Sequence, residues 1–93
     1  MQRSKGDRKV ALRIKELDRA VGIAVKASRI DRDRKQSQIA DHMGWSPEIV
    51  SNIEQGRRTV TVSELILLAE SMGENPQEVF RRILEWRKPR ERN

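Results

Sequence analysis

Apolar residues recur at intervals of three and four positions along most of the chain, which is the spacing of one face of an α-helix. Glycines and prolines interrupt this pattern and divide the chain into five segments. No segment shows the alternation of apolar and polar residues that is typical of a half-buried β-strand. The pattern therefore predicts five helices, at about residues 7–30, 36–43, 47–55, 62–72 and 76–88.

Residues that commonly end or begin helices stand at the predicted boundaries. Gly44, Gly56 and Gly73 follow the second, third and fourth helices, where a left-handed residue ends a helix at little steric cost. Two of the predicted helix starts have the spacing of a capping box, in which the residue at the cap and the residue three positions later each satisfy a backbone N–H group. The two pairs are Thr61 with Glu64, and Asn75 with Glu78.

The first predicted helix is the longest, and its apolar residues form a single stripe. The stripe consists of Val10, Ile14, Leu17, Val21, Val25 and Ser28. Gly22 lies within the same helix, where it is expected to cost only a modest amount of helix stability.

Composition excludes several classes of function. A chain of 93 residues has the size of one domain, and with no Cys and a single His it offers no thiolate metal site, structural zinc site or Cys nucleophile. The sequence contains no nucleophile–base pair, metal cluster or phosphate loop, so we expect no enzyme, catalytic residue or cofactor. No apolar run approaches the roughly 20 residues that span a bilayer, and no signal-peptide pattern is present. We therefore expect a cytoplasmic protein with no membrane partner.

The net charge of +6 is unevenly distributed. Residues 1–35 contain 12 Lys/Arg and five Asp/Glu, residues 36–80 contain two and seven, and residues 81–93 contain six and two. Basic flanks around an acidic middle indicate a polyanionic partner that is bound from both ends. Charged helix faces that only keep a small protein in solution would give the same totals.

The second and third predicted helices are separated only by residues 44–46, which is the spacing of a helix-turn-helix unit. Such a tight join makes the two helices cross, so their inner faces require small apolar residues such as Ala40. The outer face of the third helix would then present Glu48, Ile49, Asn52 and Gln55.

The stretch QSQIADHMGWSPEIVSNIEQG, residues 36–56, resembles the DNA-binding unit of the lambda-repressor-like (Xre/Cro type) helix-turn-helix family. The resemblance extends over residues 21–80. It implies an all-α fold: a five-helix lambda-repressor-like helix-turn-helix domain with an extended N-terminal first helix. Residues 1–20 would be a basic N-terminal extension continuing into that helix, and residues 81–93 the end of the fifth helix and a basic tail.

The resemblance implies that Glu48, Ile49 and Asn52 read bases in the major groove of DNA. Asn52 has a donor and an acceptor that suit adenine, Glu48 could accept from the amino group of cytosine, and Ile49 could pack on a thymine methyl group. Other roles are open for two of them. Glu48 also suits the first turn of a helix, where the helix dipole favours an acid, and Ile49 would equally suit a protein interface.

Further roles follow from the same resemblance. Phosphate contacts are implied at four positions, namely Gln36, Ser46, Arg57 and Arg58. Arg29 and Glu54 match positions that often form an internal ion pair between the first and third helices. Lys35 stands where a Ser or Thr cap is common, so the start of the second helix is expected to be weakly capped.

The fourth and fifth helices have more apolar residues than one buried stripe can use. We expect Leu67, Leu84 and Trp86 to remain exposed and to form a homodimer contact, because paired half-sites give more specificity than one recognition helix. The alternative is that the first helix or the tail folds back over them. The basic residues of 1–20 would either contact phosphates or belong to an amphipathic extension that packs on a partner subunit.

The sequence thus predicts a sequence-specific regulator of transcription that binds double-stranded DNA as a dimer. We expect a repressor that acts by occupying its operator, in the cytoplasm and at the nucleoid when bound. The alternative is an antitoxin-like or other protein-interaction module of the same fold, with a toxin or another regulator as its partner.

Overall fold

A computed structural model describes residues 5–87, and their side chains from residue 8 onward. Within this range the chain forms five helices and no strand: α1 (Lys5–Asp31), α2 (Gln36–Met43), α3 (Pro47–Glu54), α4 (Val62–Met72) and α5 (Pro76–Trp86). The all-α fold and the five helices are confirmed, with bounds that differ from the predicted ones by two residues at most. The basic tail after residue 87 lies outside the described residues, and the division into 1–20, 21–80 and 81–93 stays a prediction.

Short aliphatic side chains from all five helices form the core. Alanines supply the close contacts between helices, and the few aromatic residues take no part in the fully buried centre. Phe80 and Trp86 are both more than half exposed. The buried apolar residues are Ala20, Ala24, Val25, Ile39, Ala40, Val50, Ile53, Leu68, Ala69, Met72, Val79 and Ile83.

The first half of α1 extends beyond this core. Val25 and Ser28 are buried, but Val10 and Ile14 are 57% and 43% exposed. The apolar stripe of α1 therefore faces the interior only in the C-terminal half of the helix. Periodicity shows which side of a helix is apolar, and it does not show whether another element reaches that side.

Gly22 lies at the closest approach of α1 to α3. A Cβ atom at this position would lie 2.4 Å from the carbonyl oxygen of Ile53 and 2.7 Å from that of Glu54. Both are backbone atoms at the end of α3, so they cannot move aside as a flexible side chain would. The glycine is therefore what lets the two backbones meet, a role that the helix pattern did not indicate.

The helix starts confirm one of the two predicted capping boxes. The Thr61 hydroxyl accepts from the Glu64 N–H at 3.1 Å, and the Glu64 carboxylate accepts from the Thr61 N–H at 3.0 Å. Asn75 instead caps α5 alone, accepting from the Gln77 N–H at 2.9 Å. Glu78 does not complete the second box because its carboxylate binds the Arg81 guanidinium.

Candidate nucleic-acid interface

The turn between α2 and α3 begins at Gly44, which has a φ of 72°. The N–H of the next residue, Trp45, donates to the carbonyl of Ala40 at 2.9 Å and closes the end of α2. Ser46 is extended and precedes Pro47, the first residue of α3. Because this turn is so short, the two helices cross over their buried side chains, and the opposite side of α3 faces solvent.

The start of α2 is satisfied by a residue that sequence reasoning did not single out. Lys35 occupies the cap, and the side-chain oxygen of Gln38 accepts from its backbone N–H at 2.8 Å. Half of a capping box therefore forms without a Ser or Thr. The sequence signal that could have indicated this hydrogen bond is a Gln three residues after the cap.

Polar side chains dominate the outward face of α3. Glu48 and Asn52 are exposed, and Gln55, which follows the helix, donates to the Ser51 hydroxyl at 2.9 Å. Ile49 is half-buried and packs against the core. Of the three expected base-reading residues, two lie fully on the outward face, and the third lies at its edge.

A buried carboxylate joins α3 to α1 and α2. Glu54 accepts two hydrogen bonds from Arg29, from Nε at 2.7 Å and from Nη2 at 3.0 Å. It also accepts one from Nε2 of Gln36 at 3.0 Å, and its side chain is only 3% exposed. Charge-assisted, paired hydrogen bonds of this kind are the strong ones in proteins, so they fix the angle at which α3 is presented.

Gln36 is thus committed to an internal contact in this structure. An amide nitrogen has two N–H donors, and the bond to Glu54 uses one of them. The second donor stays available, and the contact with phosphate stays a prediction. The contact with Glu54 fixes where that donor lies.

Arg58 makes two further internal contacts. Its guanidinium forms a bidentate pair with Glu64, at 3.1 Å and 2.7 Å, and its central carbon lies 4.8 Å from the centroid of the Trp45 ring. The hydrogen bonds that Arg58 donates to Glu64 raise the pKa of Arg58, and these bonds together with the one from the Thr61 N–H lower the pKa of Glu64. Sequence reasoning missed this cation–π contact, because Trp45 and Arg58 lie 13 residues apart on different loops.

Arg57 and Ser46 differ from Arg58 in being exposed. The Ser46 hydroxyl accepts no cap hydrogen bond from α3, and no carboxylate of residues 8–87 forms an ion pair with Arg57. Both side chains are therefore placed to bind an incoming anion without first breaking an internal contact.

Residues 25–79, more than half of the chain, match the model of the helix-turn-helix family. The chain belongs to the lambda-repressor-like helix-turn-helix family. Proteins of this family bind DNA and regulate transcription. The match of this chain to the family model supports the same role for it. A search of curated protein sequences finds no match.

Solved structures similar to this helix-turn-helix protein include two regulators. The clp gene regulator ClgR from C. glutamicum is 25% identical, with a TM-score of 0.71 over 74% of this chain and 90% of that chain. The restriction-modification controller protein C.AhdI from Aeromonas hydrophila is 24% identical, with a TM-score of 0.62 over 68% of this chain and 96% of that chain. The similarity to C.AhdI shows that the two proteins share a fold.

The three residues expected at a dimer contact lie on different surfaces of the helix-turn-helix domain. Leu84 lines a shallow apolar groove of about 330 Å³ between α1, α4 and α5. Trp86 lines a separate depression beside Ile23, on the other side of α5, and Leu67 lines neither. The remaining apolar residues of the groove are Leu17, Val21, Val60, Val62, Leu65, Phe80 and Ile83.

No helix between residues 5 and 87 is long and apolar enough to cross a membrane. The same residues contain no group of three or more His, Asp and Glu side chains that could bind a metal ion.

Proposed function

We propose that this protein is a sequence-specific repressor that binds duplex DNA by inserting the outward face of α3 into the major groove. The observation that supports this most strongly is the exposure of Glu48 and Asn52 on a helix whose position is fixed by the buried Glu54 carboxylate. A base-reading helix must be rigid, because hydrogen bonds to base edges depend on geometry. Repression would follow from occupancy of the operator, without a ligand and without catalysis.

Phosphate contacts would hold the protein in register on the duplex. Ser46, the second N–H donor of Gln36 and the guanidinium of Arg57 are the groups that support this part of the proposal. Arg58 would have to exchange Glu64 for a phosphate, so we expect it to contribute less than Arg57. Since the segment 36–80 has an excess of acids, binding would depend on Arg57, Arg58 and the basic flanks. Contacts between these cations and phosphates would make the affinity fall steeply with salt.

The proposed active form is a homodimer in which two copies of the chain meet at the apolar groove that contains Leu84. This groove is the surface where exposed apolar side chains of three helices adjoin, among them Val62 at 76% exposure and Phe80 at 53%. Two recognition helices would then meet half-sites about one turn of DNA, roughly 34 Å, apart. Such a regulator would work in the cytoplasm, at the nucleoid.

The same groove favours one alternative, a module that binds another protein in the manner of an antitoxin. In that case Leu84 would contact a toxin or another regulator. The two proposals differ in what the α3 face does, since only the first requires Asn52 to meet a base.

Selection from a random duplex library tests the proposed function. The wild-type protein should enrich a motif with two half-sites, and Asn52→Ala should lose preference at one position of each half-site. Arg57→Ala should weaken all sequences alike. Glu70→Ala, on the exposed side of α4, is the control and should select the wild-type motif. If no motif is enriched, or if Asn52→Ala selects the same motif, the proposal is wrong.

A further inference from the structure

A second groove runs between the N-terminal half of α1 and the loop that joins α3 to α4. It has a volume of about 990 Å³ and is open to solvent. Three of its lining residues are exposed cations, namely Lys15 and Arg19 on α1 and Arg57 on the loop. Asp18 is the one carboxylate among the residues that line it.

The loop is fixed against α1 by two contacts. The Thr59 hydroxyl donates to Oδ2 of Asp18 at 2.7 Å, and Asp18 is 9% exposed. On the other side of Arg57, Gly56 packs so closely that a Cβ atom there would lie 3.0 Å from Cγ and 3.1 Å from Cα of Arg19. Arg57 is therefore held beside the cations of α1 by the fold itself.

The cations of α1 form a stripe along one face of the helix. At 100° per residue, Arg8, Lys15 and Arg19 fall within about 40° of one another and span about 16 Å along the axis. Val10 and Leu17 lie on the opposite side of the helix, the side that adjoins the apolar groove. The N-terminal half of α1 thus has a basic face, with the exposed Leu12 at its edge, and an apolar face opposite.

The basic face is available for a ligand. No carboxylate of residues 8–87 forms an ion pair with Arg8, Lys15, Arg19 or Arg57. The Asp18 carboxylate offsets only part of the local positive charge, and its Oδ2 is already bonded to Thr59. Four cations spread over this length are suited to a row of phosphates and exceed what one small anion would need.

We infer that this surface, the basic face formed by Arg8, Lys15, Arg19 and Arg57, binds backbone phosphates of the DNA that flanks the site read by α3. The inference rests on the proposed function, because Arg57 follows the recognition helix by three residues and ties the two surfaces together. Successive phosphates lie 3.4 Å apart along the axis of one strand, so the stripe would follow a few of them. It would add affinity and footprint without adding base preference.

A matched pair of double variants tests the inference. Lys15→Ala with Arg19→Ala removes two charges from the basic face. Lys9→Ala with Arg13→Ala removes the same two residue types, with the same spacing on the same helix, about 100–140° around it from Arg8. Fluorescence anisotropy on a selected duplex, repeated over a salt series, gives the affinity and its salt dependence.

The test pair should bind at least about tenfold more weakly than the control pair at about 0.15 M salt. The plot of log K, the association constant, against log salt has a negative slope. For the test pair this slope should be shallower by about 2, as expected for two lost phosphate contacts. The ranking of duplex sequences should stay that of the wild type. Trimming the flanking base pairs should weaken the wild type and leave the test pair unchanged.

Equal slopes and equal affinities for the two double variants would overturn the inference. Circular dichroism and a melting curve establish that both are folded, and the single variant Lys15→Gln provides the same test with a smaller change. Failure of the proposed function gives a different result. In that case the wild type selects no motif, whereas failure of this inference alone leaves the motif and the effect of Asn52→Ala intact.

Discussion

Glu54 shows how a single residue determines the geometry of the whole interface. Its buried carboxylate receives Arg29 from α1 and Gln36 from α2, so three helices share one anion. Removing one partner of a buried ion pair leaves an uncompensated charge, which is strongly destabilising. The pairing is also directional, and for this reason it orients α3 better than apolar contacts alone would.

At Gly22, packing and helix propensity predict opposite effects of a substitution by Ala on the stability of the protein. In an unobstructed helix, Gly→Ala stabilises by up to about 1 kcal/mol. Here the added methyl group would meet backbone carbonyls at 2.4 Å and 2.7 Å, so we expect Gly22→Ala to destabilise the protein by about 1–3 kcal/mol. Urea unfolding measures the change, and a gain in stability would show that α1 and α3 do not pack as described.

The stabilisation that Glu64 provides is expected to depend on pH. Because Arg58 and the Thr61 N–H lower its pKa in the folded state, its contribution to stability is complete above its ordinary pKa of 4.5. The contribution is lost as the pH falls below that value and through the lowered pKa. Glu64→Gln should therefore be less stable than the wild type near neutral pH, and the difference should shrink on acidification. The free energy of unfolding, measured from about pH 7 to about pH 3, checks this, and a difference that does not change with pH would contradict it.

At the scale of the helices, the sequence allowed most of the fold to be predicted. The period of the apolar residues and the positions of Gly and Pro gave five helices, because these signals act within a few residues. The same reasoning could not show that Gly22 faces the end of α3 or that Arg58 reaches Trp45. Those contacts depend on the angles between helices, and local patterns do not encode them.

The interface was predictable to a similar extent. The outward position of Glu48 and Asn52 follows from the period of α3 and the shortness of the preceding turn. Ile49 differs because it lies where the outward face meets the core, and packing there decides its exposure. Leu84 and Trp86 were both expected at the dimer contact, but they fall about 160° apart on α5 and line different depressions.

This separation yields a prediction about the dimer. Leu84→Glu places a charge in the apolar groove and should shift the protein from dimer to monomer, with DNA affinity falling as well. Trp86→Glu is the matched control, since it makes another exposed apolar residue (56%, against 41% for Leu84) acidic on the other side of α5. Sedimentation equilibrium of both variants distinguishes the surfaces. A dimer that survives Leu84→Glu but dissociates with Trp86→Glu would place the contact in the other depression.

For the molecule as a whole, the charge and apolar surfaces suggest a consistent arrangement. The basic face of α1 adjoins the end of the recognition helix, and the apolar face of the same helix segment adjoins the proposed dimer groove. A dimer formed at the groove would leave both basic faces open. The acidic excess of residues 36–80, a segment that includes α3, would oppose binding to DNA, since like charges repel. The basic face of α1 and Arg57 would have to supply the attraction.

The most direct test of this account is a titration of ¹⁵N-labelled protein with a selected duplex, followed by NMR. If α3 enters the major groove, the side-chain amide signal of Asn52 and the backbone amides of Ser46 and residues 48–52 should shift most, and amides near Leu84 should respond only to dimerisation. If the largest shifts instead fall on α4 and α5 while the Asn52 side chain is unaffected, α3 is not the DNA-reading helix and the account is wrong.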